Sequence, residues 1–163
     1  MKNLLFLTTI MLALSEPANA QNVIRQASCS DAGISQQADS LRKVFTRDGF
    51  VVVKEASVTM ESEYEMPVIV PLTEGSWYQF VFIGDASSRL YEVRMFDWNE
   101  RQVVYEKNLS GDDNANVISY SYIPKFSEYH MMKPLQVNKK KKKGLCGYVM
   151  LLKKTQNVAA DTR

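Results

Sequence analysis

The chain has 163 residues, of which 45% are hydrophobic, and its formal net charge is +2. A balance this close to neutral gives no reason to expect a nucleic-acid partner or attraction to an anionic membrane surface. The length and apolar content suit one packed domain, and no apolar run after residue 20 is long enough to cross a membrane.

Residues 1–20 have the pattern of a secretory signal peptide. Lys2 supplies a basic start, residues 4–14 form a short apolar run, and Ala18-Asn19-Ala20 is a small-x-small cleavage site. The run is too short for a membrane anchor, and no Cys follows it at the cleavage point as a lipid anchor would require. We therefore predict a mature chain that begins near Gln21 and is periplasmic or secreted.

The chain contains two cysteines, Cys29 and Cys146. An exported protein meets an oxidising compartment, so an even cysteine count favours a disulfide between them. Such a bridge would tie the segment before the predicted helix to the last predicted strand. Two buried free thiols are the alternative, and a metal site is disfavoured because the chain offers only these thiols and one histidine.

Residues 30–48 are predicted to form the one helix. Ser28 or Ser30 is the expected N-cap, and Gly49 is a C-cap signal. The apolar stripe of this helix consists of Ile34, Ala38, Leu41 and Phe45. We expect the stripe to pack on the rest of the domain; a docking helix for a partner is the alternative.

Extended segments begin directly after the helix. A β-run starts at Phe50 and continues or bends as far as Met60. Pro67 and Pro71 flank the short apolar run 68–70, and prolines in these positions favour the edge of a sheet.

The densest β-pattern lies in the centre of the chain. Residues 77–83 are rich in β-formers, and alternation across a strand predicts that one aromatic row faces the core: Tyr78, Phe80 and Phe82. Residues 90–96 alternate as a half-buried antiparallel strand. Asp and Asn within 97–100 favour a turn, after which 102–106 pairs back as the next strand.

This order of strands and turns resembles the bacterial pre-peptidase C-terminal domain family. The residues that carry the resemblance are Glu74-Gly75, Tyr78-Gln79-Phe80, Gly84-Asp85 and the run 91–97. The resemblance implies a secreted, jelly-roll-like β-sandwich. It covers residues 67–107, and the chain departs from the family at Trp98-Asn99, where the family usually has a glycine.

Two polar loops and three strands make up the rest of the predicted domain. The loop 108–116 carries Asp112 and Asp113, which would bind calcium or simply form a solvated turn. Strands are predicted at 116–123, at 129–137 and at 145–152, the last being apolar enough for a central position. We expect a domain that spans 21–155 and a polar tail at 156–163.

A run of five lysines precedes the last predicted strand: Lys139, Lys140, Lys141, Lys142 and Lys143. One interpretation is that these side chains bind a polyanion. The interpretation that we favour is a solvated hairpin loop that keeps neighbouring strand edges from aggregating.

Catalytic patterns are missing from the sequence. His130 is the only histidine, no Gly-x-Ser-x-Gly accompanies any serine, and no glycine-rich phosphate loop occurs. A His-based zinc site lacks partners, and the adjacent Asp112 and Asp113 are a poor glycosidase pair. We therefore predict a protein that is not an enzyme and requires no cofactor.

The predicted architecture is mainly β: an antiparallel, jelly-roll-like β-sandwich of about eight strands with one N-terminal α-helix. We expect a non-catalytic accessory or binding module of the bacterial envelope with a protein or glycan partner. Its binding surface would include exposed Trp77 or Trp98, with the lysine run nearby. The alternatives are a glycan-binding module that uses these aromatics and an inhibitor of an envelope hydrolase.

Overall fold

The computed structural model describes residues 28–155, which form one helix and eight strands. These elements are α1 (Ala32–Arg47), β1 (Phe50–Met60), β2 (Val68–Leu72), β3 (Tyr78–Gly84), β4 (Leu90–Phe96), β5 (Gln102–Leu109), β6 (Val117–Tyr122), β7 (Glu128–Val137) and β8 (Leu145–Lys154). The predicted signal peptide at 1–20 and the tail at 156–163 lie outside the described residues.

The strands form two antiparallel sheets of four. Sheet A has the order β1-β8-β3-β6 and sheet B the order β2-β7-β4-β5. These two orders are those of an eight-stranded jelly roll, in which two Greek keys wrap around one core. The predicted fold class is therefore confirmed, including the single helix at the N-terminal side and the central position of β8.

The core lies between the two sheets and is built by alternation along the strands. Phe80 and Phe82 on β3 are buried and face the opposite sheet, as predicted for the aromatic row, and the Phe80 ring stacks on Tyr120 at 5.2 Å between centroids. Sheet B contributes Tyr91, Val93 and Met95, all buried.

Helix α1 covers the outer face of sheet A and creates a second apolar layer. Ile34 and Ala38 are buried against the outward side chains of β3 and β8, among them Val81 and Ile83. Every residue of β3 is therefore buried, since both faces of this strand are covered.

The two ends of α1 show one wrong and one confirmed prediction. The N-cap is Asp31 and not Ser28 or Ser30, because its carboxylate accepts the Ile34 amide at 2.9 Å at the point where the backbone turns into the helix. At the C-terminal end Gly49 has φ 82° and donates its N–H to Thr46, which is the backbone conformation that favours glycine.

A disulfide joins Cys29 to Cys146, as predicted. The two Cα atoms are 5.5 Å apart although the residues are separated by 117 positions. The bond fixes the segment before α1 to the start of β8. In the chain-entropy description a loop of this length contributes roughly 4–5 kcal/mol to the free energy of unfolding.

The connections gather at two opposite ends of the sandwich. We call one the aromatic end; it consists of the turns 73–77 and 97–101 and the loop 123–127. We call the other the lysine end; it consists of the loops 61–67, 85–89, 110–116 and 138–144. The loop 138–144 runs from β7 in sheet B to β8 in sheet A, so the predicted hairpin is wrong and the lysines lie on a connection between sheets.

Candidate functional site

The structure separates the residues that the sequence analysis had grouped as one binding surface. Trp77 and Trp98 lie at the aromatic end, whereas Lys139, Lys140, Lys141, Lys142 and Lys143 lie at the lysine end. The ten-residue strand β8 runs between the two ends, a distance of roughly 30 Å. The prediction that the lysine run lies near the tryptophans is therefore wrong.

Trp98 is the most exposed large aromatic side chain at the aromatic end, with 69% of its surface accessible. It sits on the turn between β4 and β5, which Asp97 holds in shape. The Asp97 carboxylate accepts the amides of Asn99 and Arg101, each at 2.9 Å, and the Arg101 Nε at 2.8 Å. The indole is thus presented by a fixed turn rather than by a loose loop.

These contacts also determine the ionisation of Asp97. Burial raises the pKa of the carboxyl, but the hydrogen bonds from Arg101 and Asn99 and the Arg101 charge outweigh burial, so the pKa is lowered overall. Asp97 therefore stays ionised and keeps the turn intact over the working range of pH.

Tyr129 lies beside Trp98 and completes an exposed aromatic pair. The ring centroids are 6.2 Å apart with an angle of 46° between planes, and Tyr129 is 54% accessible. Tyr129 projects from the outer face of β7 because it alternates with the buried His130. Two further apolar side chains, Ile123 and Phe126, are exposed on the neighbouring loop.

A groove of about 600 Å³ opens between the turn 97–101 and the loop 123–127. Its lining combines apolar and hydrogen-bonding side chains: Ile123 and Phe126 with Arg101, Gln102, Lys125 and Glu128. The loop is braced from the third connection of this end, since Glu74 donates its N–H to the Ser127 hydroxyl at 2.9 Å and Gly75 donates to the Pro124 carbonyl at 3.0 Å.

His130 lies beneath this groove and is only 2% accessible. Its Nε2 is 3.2 Å from the Tyr122 hydroxyl, and its Nε2 lies 3.8 Å from a Glu128 carboxylate oxygen. The two rings meet edge to face at 5.3 Å. The imidazole therefore belongs to the packed interior and is not among the residues that line the groove.

Trp77 also lies at the aromatic end, but its ring belongs largely to the packing around α1. It is 43% accessible and meets Phe50 edge to face at 5.6 Å. The Lys154 ammonium lies 5.4 Å from the Trp77 centroid and 4.8 Å from that of Phe50, and it donates to the Asp48 carbonyl at the C-terminal end of α1. Trp77 borders a depression of about 520 Å³ with Lys153 and Lys154.

Carboxylates from neighbouring loops neutralise most of the lysine run. Lys141 pairs with Asp85 at 3.2 Å, Lys142 with Glu63 at 3.1 Å, and Lys143 with Glu61 at 3.4 Å. Buried Asn138 fixes the start of the loop, because its side-chain oxygen accepts the amides of Lys140 and Lys141 at 2.9 and 3.0 Å. The loop is thus a bonded part of the lysine end, and within residues 28–155 Lys139 and Lys140 are the two lysines of the run without a carboxylate at ion-pair distance.

The calcium hypothesis for Asp112 and Asp113 stays a prediction. Asp112 accepts the Leu109 amide at 3.1 Å, which is a turn-stabilising role. Among residues 28–155, no three His, Cys, Asp or Glu side chains lie together in a way that would hold a metal ion.

Tyr129 and Phe126 are the site residues that sequence reasoning missed. The alternation around His130 was available as a signal for the outward direction of Tyr129, but nothing local in the sequence indicates that β7 begins beside the turn that carries Trp98. That proximity arises because β4 and β7 pair in sheet B with Phe96 opposite Met131.

Comparisons with known proteins identify no family. No family model and no curated protein matches this chain, so the resemblance to pre-peptidase C-terminal domains stays a prediction. Within residues 28–155, no helix combines the length and the apolar character that crossing a bilayer requires.

Several solved structures show a weak similarity to this chain. AlgX from Pseudomonas aeruginosa is 13% identical with a TM-score of 0.46, covering 64% of this chain and 27% of its own. An endo-1,4-β-D-xylanase 10B from Clostridium thermocellum is 14% identical with a TM-score of 0.35, covering 69% and 27%. An exo-β-1,3-galactanase from Phanerochaete chrysosporium is 11% identical with a TM-score of 0.31, covering 62% and 28%.

The chain thus spans little more than a quarter of the length of these three proteins. At this level of similarity the comparison carries no functional argument. The assignment as a jelly-roll β-sandwich follows from the order of the strands in the two sheets.

Proposed function

We propose that the protein is an exported, non-catalytic binding module of the bacterial envelope, and that its ligand is a glycan that stacks on Trp98 and Tyr129. The observation that carries the proposal is this exposed aromatic pair, held on a fixed turn and a paired strand. With the exposed Ile123 and Phe126 nearby, the pair gives this end several exposed apolar side chains, and contiguous exposed apolar patches mark interaction sites or ligand-binding grooves.

The chemistry of the aromatic end suits a sugar. A sugar ring has apolar C–H faces that pack on aromatic rings and hydroxyl groups at its rim that need hydrogen-bond partners. Trp98 and Tyr129 supply the apolar surface, and the adjacent groove supplies donors and acceptors on Arg101, Gln102 and Glu128.

Two further features support export and the absence of catalysis. The Cys29–Cys146 bond is of the kind that persists in oxidising compartments. A general base must come within hydrogen-bonding distance of the group that it deprotonates. His130, the only histidine, is poorly placed for that role because it is buried beneath the groove and hydrogen-bonded to Tyr122.

Binding of the mature protein to a glycan array, followed by calorimetry on the hits, tests the proposal. Trp98→Ala and Tyr129→Ala should each weaken binding about tenfold or more, which is roughly 1.4 kcal/mol or more. Tyr64→Ala is the matched control, because Tyr64 is a 68% accessible aromatic residue at the lysine end. Absence of binding to every glycan, or equal losses in all three variants, would contradict the proposal.

A further inference from the structure

The outer face of sheet B is the one broad sheet surface that the described part of the chain leaves uncovered. Helix α1 packs on sheet A, whereas the described residues place no helix on sheet B. Of the outward side chains of β7 and β4, Tyr129 is exposed, Glu92 is buried and the others are half-buried. On β7 these outward residues are Tyr129, Met131 and Lys133, which alternate with the buried His130 and Met132. We call this surface the open face.

Strand register aligns the apolar side chains of the open face in two adjacent rows. In the first, Tyr129 lies opposite Pro71 and next to Trp98. In the second, Met131 lies between Ile69 and Phe96, its partners on the two neighbouring strands, and Ile69 is 56% accessible. Two positions along a strand separate the rows by roughly 7 Å.

A network of ion pairs borders the second row on the side away from Trp98. Arg94 contacts both Glu65 and Glu92 at 3.1 Å, Lys133 contacts Glu65 at 3.4 Å, and Lys107 contacts Glu92 at 3.6 Å. The Lys133 ammonium also lies 4.9 Å from the Phe96 ring centroid, so the network adjoins the apolar row directly.

These charges satisfy one another, which bears on the ligand that the open face accepts. A charged ligand would have to break existing pairs before it formed its own, whereas hydroxyl groups can add hydrogen bonds to ions that stay paired. Tyr105 adds a further hydroxyl to the network through its contact with Glu92 at 3.4 Å and is itself exposed.

We infer that the glycan is neutral and lies as an extended chain across the open face, contacting the Trp98–Tyr129 pair and the Ile69–Met131–Phe96 row together. This inference rests on the proposed function. The second row crosses three strands, a distance of roughly 10 Å, and on β5 the partner of Phe96 is Gln102. One sugar ring covers only part of this surface, so a segment of several linked sugars makes more contacts with the open face than a single sugar does.

Isothermal titration of cello-, malto- and xylo-oligosaccharides of two to six units tests the inference, with polygalacturonate as the charged comparison. We expect affinity for one neutral series to rise at least about tenfold from the shortest to the longest member. Ile69→Thr should weaken binding of the six-unit sugar about threefold or more and leave the two-unit sugar unaffected. This variant keeps a β-branched residue on an edge strand, so the fold should persist.

The outcomes separate this inference from the proposed function. Binding that depends on Trp98 but not on chain length or on Ile69 would overturn the chain geometry and leave the proposed function standing. Tighter binding of polygalacturonate than of any neutral sugar would overturn the neutral class. A dimer in sedimentation that Ile69→Lys dissociates would make the open face a self-association surface instead, and no binding by any sugar would overturn both proposals.

Discussion

The two ends of the sandwich differ in how far their side chains are paired within the protein. At the lysine end, carboxylates neutralise Lys141, Lys142 and Lys143, and buried side chains satisfy the loop backbone. At the aromatic end, Trp98 and Tyr129 remain in water on a rigid frame. A conspicuous charge run is thus mainly structural, and the less conspicuous aromatic pair is the better candidate for recognition.

Gln136 shows how tightly the lysine end is bonded. It is fully buried, and its side-chain oxygen accepts the Asp85 amide at 2.9 Å and the Ser88 hydroxyl at 3.0 Å. Its amide nitrogen donates to the Cys146 carbonyl at 2.9 Å. The turn that carries Trp98 is held by one side chain, the Asp97 carboxylate, together with backbone hydrogen bonds from Asp97 to Arg101 and from Glu100 to Asp97.

The comparison predicts that the largest loss of stability comes from the lysine end. The double variant Cys29→Ser/Cys146→Ser should lower the free energy of unfolding by roughly 4–5 kcal/mol in urea denaturation, because the unfolded chain loses its cross-link. Glycan affinity measured well below the denaturation midpoint should be unchanged. A loss of less than about 1 kcal/mol would show that the bond does not restrain the unfolded chain as described.

Gln136→Leu should have the next largest effect, a loss of about 3 kcal/mol, because it leaves the Asp85 amide, the Ser88 hydroxyl and the Cys146 carbonyl without their partner. Urea denaturation measures it, with Gln102→Leu at the exposed start of β5 as the control that should change stability by less than about 0.5 kcal/mol. Equal stabilities of the two variants would argue against a satisfied polar interior at the lysine end.

Asp97→Asn should affect recognition more than stability. Loss of the charged acceptor loosens the turn that holds Trp98, so glycan affinity should fall about three- to tenfold as preorganisation is lost. The pKa of Asp97 is lowered in the fold, so its stabilising effect is present above the ordinary aspartate pKa and lost as pH falls through the folded-state value. Thermal melts of wild type and variant should therefore converge in acid; a constant difference down to pH 2 would contradict this.

Lys142→Met should have the smallest effect. The Lys142–Glu63 pair is exposed on both sides, and such pairs contribute under about 1 kcal/mol. Neither the thermal midpoint nor glycan affinity should change measurably. A clear loss of glycan binding in this variant, with the thermal melt unchanged, would indicate that the recognition site lies at the lysine end and would contradict its assignment to the aromatic end.

The parts of the fold that depend on local pattern were predictable from the sequence. Alternation placed Tyr78, Phe80 and Phe82 in the core, and helical spacing placed Ile34 and Ala38 on the buried face of α1. The cysteine count indicated the disulfide. The first two depend on residues whose neighbours along the chain already determine their direction, whereas the disulfide followed from the even number of cysteines.

The position of the candidate site was not predictable, because it depends on pairings between distant segments. β1 pairs with β8, so Phe50 lies opposite Lys154, and this wrapping decides which connections share an end. The lysine run was misplaced for that reason. Gln136 and Asn138 were also missed as interior residues, since their burial requires partners contributed by loops far away in the sequence.

The most direct measurement is a titration of isotope-labelled mature protein with the neutral oligosaccharide that binds best, followed by amide and indole NMR signals. Binding at the aromatic end predicts that the Trp98 indole and the amides of residues 97–101 and 128–132 shift together with one dissociation constant. The signals of residues 138–144 should stay in place. Shifts confined to residues 61–67 and 138–144, with the Trp98 indole unmoved, would contradict the assignment of recognition to the aromatic end.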